Sequence, residues 1–120
     1  MTTKIFVTVK VPGIHWWPEG NTAVHNYLQY PHRHIFHIKV TLLVTHGNRQ
    51  VEFFEYQDLL MAVLYKEWGD YKEGQASINF GANSCEIIAL RLLNLLNAEE
   101  VEVSEDGECG AIVSNPVVTF

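Results

Sequence analysis

The run His32-Arg33-His34-Ile35-Phe36-His37-Ile38-Lys39-Val40-Thr41-Leu42-Leu43-Val44-Thr45 is the stretch to read first. Phe36, Ile38, Val40, Leu42 and Val44 recur at every second position, which predicts one long strand over residues 32–45. Residues two apart on a strand share a face. His32 and His34 therefore point the same way, roughly 6–7 Å apart at the backbone, while His37 has the opposite parity. Two imidazoles so placed make a natural bidentate grip for a metal ion. A third neutral histidine would complete a set that catalytic zinc sites use, three nitrogens and one open position. His15 and His25 are the available donors.

Upstream, Ile5, Val7, Val9 and Val11 alternate with more polar residues, predicting a half-buried strand over 4–11 that Pro12-Gly13 ends or bulges. Residues 14–31 contain Trp16, Trp17, Pro18, Gly20, Asn21 and Pro31 without a sustained period, and read as a long loop. Downstream, His46-Gly47-Asn48-Arg49 reads as a turn and residues 51–56 as a returning partner strand. Leu59, Leu60, Val63, Leu64 and Trp68 then recur at helical spacing, and the polar, glycine-bearing stretch 69–82 reads as another loop. Asn83 or Ser84, followed by Glu86, resembles a capping box heading a second helix. That helix carries Ile87, Ile88, Leu92, Leu93, Leu95 and Leu96, apolar most of the way round, and is expected between layers. Val101 and Val103 mark a further strand, Glu105-Asp106-Gly107 a turn, and residues 111–113 and 117–120 edge pieces. The expected fold is a single α+β domain over 1–120, an antiparallel sheet with two helices on one face.

Composition narrows the function classes. Charged residues are 18% of the 120, below the roughly 25% of soluble domains, which points to surface covered by another subunit. A net charge of −6 disfavours general nucleic-acid binding, which needs cations for phosphate contacts. The longest apolar run, residues 87–96, is interrupted by Arg91 and Asn94 and falls short of the ~20 residues of a membrane span. Met1-Thr2-Thr3-Lys4-Ile5 lacks the apolar stretch of a secretory signal. Cys85 and Cys109 form no CxxC pattern and no disulfide framework, so the expectation is a reduced, cytoplasmic protein. Six histidines, four of them between Val24 and Ile38, are the compositional oddity.

Five segments in order carry a family resemblance. They are His15 after the first strand, Pro31-His32-Arg33-His34-Ile35-Phe36 opening the long strand, and the segment Val51-Glu52-Phe53-Phe54-Glu55-Tyr56-Gln57-Asp58-Leu59. Asn83-Ser84-Cys85-Glu86 and Val101-Glu102-Val103-Ser104-Glu105 complete the set. Together they resemble the 6-pyruvoyl-tetrahydropterin synthase and 6-carboxy-tetrahydropterin synthase family. The resemblance implies the tunnelling fold (T-fold), a trimeric or hexameric homo-oligomer with sites at subunit interfaces, and Zn²⁺ held by His15, His32 and His34. It implies a pterin or purine-derived ligand anchored by Glu105, with Glu86 as a second ligand-binding candidate. In that arrangement Glu105 of one subunit stands near the three histidines of a neighbour. A carboxylate suits the task, because it accepts two parallel hydrogen bonds from an N–C–NH₂ edge.

The sequence also departs from the family. No cysteine lies between Trp16 and His32, where the family has its base, and Leu28 holds the position four residues upstream of His32. The family's Asp-His pair after the first helix is missing; no histidine follows His46. His25 is the leading substitute for proton transfer, since an ordinary histidine titrates near neutrality; Tyr27, Tyr30 and Cys109 rank below it. Trp16 and Trp17 read as an interface or core plug before a stacking surface, and Arg33 as a surface arginine before a phosphate ligand. The resulting expectation is a zinc-dependent lyase acting on a dihydropterin phosphate. The alternative is a catalytically inactive T-fold module that binds or sequesters a pterin, purine or nucleotide.

Overall fold

The computed structural model describes residues 1–116; the expected edge piece at 117–120 lies outside the described residues. The long strand forms as read, as β2 (His32–Val44). Its antiparallel partner is β1 (Thr3–His15), in unbroken register from Thr3↔Val44 to His15↔His32. β1 is longer than the sequence suggested, because Pro12 does not end it. Opposite Pro12 stands Ile35, whose N–H and C=O are both taken by Asp106 on the far side of β2. No ladder bond is therefore required of Pro12, the setting in which a strand tolerates proline. Residues 14 and 15 thus leave the expected loop, and its remainder contains two short 3₁₀ turns, Pro18–Thr22 and Asn26–Gln29.

The partner strand expected at 51–56 is instead the start of a helix, α1 (Phe53–Trp68). The Glu52 carboxylate accepts from the Glu55 N–H at 2.6 Å and caps it, and Leu60 and Leu64 bury against the sheet with Tyr56 partly covered. Phe53 and Phe54 face outward, Phe54 at 74% exposure, so the apolar run that resembled a strand is not a core segment. The stretch 69–82 is likewise not a loop. It is a hairpin of β3 (Gly69–Lys72) and β4 (Gln75–Gly81), turned by Glu73 and Gly74, both at positive φ as a tight two-residue turn requires. Ile78 and Phe80, two apart and both buried, carry the alternation that the polar neighbours obscured.

α2 (Cys85–Leu96) begins at Ser84, whose hydroxyl accepts from the Ile87 N–H. That places Glu86 one position short of the box-closing site, so the capping box is not made. The helix is also not sandwiched between layers: Cys85, Ile88, Ala89, Leu92 and Leu93 are buried, whereas Ile87, Leu90 and Leu95 are exposed. β5 (Glu100–Glu105) pairs with β2, and β6 (Cys109–Ser114) pairs with β5 after a turn through Asp106 and Gly107, both at positive φ.

The sheet order is β3-β4-β1-β2-β5-β6. It is mixed rather than wholly antiparallel, because β4 runs parallel to the end of β1. Val9, Val11, Phe36, Ile38, Val40, Val101 and Val103 share one core with Leu60, Leu64, Ile88 and Leu92, so both helices cover the same face. The protein is an α+β fold, and among the described residues no helix is long and apolar enough to cross a membrane.

Candidate metal centre

Strand parity carries three histidines into one place. On β1, Val7, Val9 and Val11 face the helices, and continuing by twos leads to His15. On β2, Phe36, Ile38 and Val40 face the same way, and counting back by twos reaches His34 and His32. The register sets His15 opposite His32 and Gly13 opposite His34. Ring centroids are 4.6 Å apart for His15–His32, 5.4 Å for His15–His34 and 5.0 Å for His32–His34. One ligating atom from each lies within 4.8 Å of the others. Phe36 forms the floor, its ring 5.1 Å from His15 and 5.8 Å from His34, backed by Phe80 at 4.7 Å. Gly13 makes this floor possible, since a Cβ there would sit 2.9 Å from both phenylalanine rings.

The hydrogen bonds orient the rings for metal ligation. His15 Nδ1 donates to the Asn83 carbonyl at 3.1 Å, and His32 Nδ1 donates to the Tyr30 carbonyl at 2.9 Å. Carbonyls only accept, so Nδ1 carries a proton, and in the neutral ring the Nε2 lone pair is left free. His34 Nδ1 meets Asp106 Oδ2 at 2.8 Å in the same manner. Asp106 also accepts from the Ile35 N–H, and these two bonds hold its carboxyl below the usual carboxylate range. Nε2 of His15 and of His34 is buried with no hydrogen-bond partner. His15 is 7% exposed, and burial lowers its pKa, favouring the neutral form that binds metal. Three imidazoles with their Nδ1 atoms tied back and their Nε2 atoms converging are a donor set that fits zinc. Asp106→Asn keeps the left-handed turn but surrenders one of two carboxylate oxygens. The expected result is metal affinity about tenfold or more weaker, measured by chelator competition.

Glu105 reaches the same cluster. It sits on β5 opposite Phe36, with its Oε1 3.1 Å from His15 Nε2 and its Oε2 3.5 Å from His34 Nε2. It stands beside the histidines of its own chain, so no neighbour is needed to bring it there, contrary to the expected placement. A cavity of about 340 Å³ opens over the cluster, lined among others by His15, His32, Trp17, Cys85, Glu86 and Glu105. Glu86 is exposed at its rim, its carboxyl held low by Ser84. His25, by contrast, is not brought to the site: it is exposed ahead of a 3₁₀ turn against the Tyr27 ring, whereas Leu28 lines the cavity. His37 lies on the opposite face against Gly107, as its parity demanded.

Two residues here escaped the sequence reading. Cys85, at the first turn of α2, places Sγ 4.0 Å from Glu105 Oε1. Burial, and then the Glu105 charge, push its thiol up to about 12, so it stands there protonated. Asp106 read only as part of a turn; its neighbour Gly107 signalled the turn but not the carboxylate's aim at His34. Fold and cluster together define an α+β protein with a three-histidine candidate metal centre at one end of a mixed sheet. No model of a known protein family matches the chain, and no curated protein matches it.

Proposed function

We propose that the protein is a zinc-dependent T-fold enzyme of the 6-pyruvoyl- and 6-carboxy-tetrahydropterin synthase type, with lyase chemistry on a dihydropterin phosphate. The observation that carries this reading is the convergence of His15, His32 and His34, their Nδ1 atoms held from behind, beneath a ligand-sized cavity. When bound, zinc supplies Lewis-acid polarisation of a side-chain oxygen. The chain's own groups do the rest. Glu105 accepts the paired N–H groups of the heterocycle, and Trp17 supplies an apolar wall of the cavity. Cys85, a protonated thiol beside Glu105, is the cavity group placed to deliver a proton, a role the sequence assigned to His25. Exposed Phe6, Ile35 and Leu43 on the outer face of the sheet support the oligomer that this reading includes.

A second reading rests on one observation. With Leu28 where the family has its base and His25 outside the cavity, the proton chemistry falls to the two cavity thiols, Cys85, whose pKa burial raises, and Cys109. That favours a module that binds or sequesters the pterin without turnover. Incubating zinc-loaded protein with dihydroneopterin triphosphate and following the products by mass spectrometry separates the two. Loss of the triphosphate is the expected result. Unchanged substrate that co-purifies with the protein leaves the binder, and neither turnover nor retention sinks both.

A further inference from the structure

The position of Glu105 has a consequence for the metal that the pterin-anchoring role does not contain. In the neutral ring His15 Nε2 is the lone-pair nitrogen, because Nδ1 carries the proton against the Asn83 carbonyl. The His15 side chain is 8% exposed, and its Nε2 has no hydrogen-bond partner. Glu105 Oε1 nevertheless lies 3.1 Å from that nitrogen, outside hydrogen-bonding geometry. Two acceptors held face to face at this distance repel unless a cation lies between them. A charged imidazolium would also attract the carboxylate, but no N–H is aimed at the oxygen, so the contact is not a hydrogen bond.

The mutually close ligand atoms are those of the three histidines, and the Glu105 spacing to two of them, His15 and His34, matches a shared ion. With bonds of roughly 2.0–2.2 Å, neighbouring donor atoms on a tetrahedral zinc sphere sit about 3.4 Å apart. The two Glu105 oxygens stand 3.1 and 3.5 Å from Nε2 of His15 and His34. Chain geometry enforces the placement. Glu105 ends β5 opposite Phe36, and the next residue turns at positive φ, so consecutive carboxylates address the two edges of one ring: Glu105 faces Nε2 of His34 and Asp106 faces Nδ1.

We infer that Glu105 is a fourth protein ligand to the metal in the ligand-free chain, which closes the coordination position a substrate must use. The inference rests on the three-histidine reading above and adds regulation of that site. An incoming oxygen ligand displaces Glu105. The released carboxylate is then free to hold the heterocycle, with the Cys85 thiol 4.0 Å from Oε1 ready to receive it.

Cobalt(II) alone, titrated into metal-free full-length protein and followed by visible absorption, tests this without substrate. A closed site has no bound water to ionise, so the wild-type spectrum stays unchanged between about pH 6 and 9. Glu105→Gln opens the position. Its spectrum then titrates near neutrality as metal-bound water loses a proton, and cobalt affinity falls at least about tenfold. Glu105→Asp, too short to reach the ion, behaves the same way and guards against an effect particular to the amide. Stoichiometric cobalt whose spectrum and pH response ignore both substitutions overturns the inference while the three-histidine site stands. Absence of stoichiometric cobalt in the wild type overturns both.

Discussion

Replacing His32 and His34 together with alanine is expected to abolish stoichiometric zinc binding at the cluster, while the fold survives. Both rings are partly exposed at the end of β2, above the buried Phe36, so their loss opens no cavity in the core. What goes is two of three converging nitrogens, each set by its own acceptor, the Tyr30 carbonyl and the Asp106 carboxylate. Disturbing the support of a single ligand costs up to about 100-fold in affinity. Deleting two rings therefore costs on the order of 10⁴-fold or more, enough to empty the site during dialysis. Metal analysis of wild type and double variant after dialysis reads this directly, and zinc in neither sinks the site assignment. The pH dependence has a definite sign. Metal binding needs neutral imidazoles and is lost on acidification. In the metal-free protein, burial lowers the His15 pKa below its ordinary 6.5. The stability this contributes is present above that value and drains away as pH falls through the lowered one. Thermal unfolding of the metal-free protein should therefore shift down on acidification below about 6.5, in the direction set by that linkage.

Phe36→Ala is expected to destabilise the domain by about 3–5 kcal/mol, the usual cost of deleting a buried aromatic ring. Phe36 is 0% exposed and packs edge to face against His15, His34 and Phe80. Domains of ordinary size hold only about 5–15 kcal/mol in total, so one residue accounts for a large share. Truncation also removes the surface on which two metal-binding rings rest, and Gly13, whose missing side chain makes room for Phe36, cannot fill the space. Urea denaturation, compared at constant slope, measures the change. A loss below about 1 kcal/mol would mean that the site collapses onto Phe80 without penalty.

The errors in reading the fold share a cause. Residues 51–56 form a short apolar run that satisfies a strand and a helix equally, and Phe53 and Phe54 turn out to be exposed. What selects the helix is the burial of Leu60 and Leu64 beneath it, together with the Glu52 cap. In 69–82 the buried residues are only Ile78 and Phe80, too few for alternation to stand out from polar neighbours. Pro12 continues its strand because Asp106, 94 residues on in sequence (106 less 12), occupies the backbone of Ile35. None of these outcomes is visible in a local window.

What the sequence determined by itself about the site is parity. Side chains alternate at a period of two on any strand, so the common face of His32 and His34, and the opposite face of His37, follow from numbering alone. Tertiary structure decided everything that depends on register and connection. Phe36↔Glu105 pairing between β2 and β5 brings a carboxylate to the imidazoles, the turn at Asp106 brings a second, and α2 delivers Cys85. Parity is a property of one strand's backbone geometry. Register is the outcome of packing two distant segments on one core, and that energy is spread over Phe36, Val40, Val101 and Val103 rather than written at the residues it aligns.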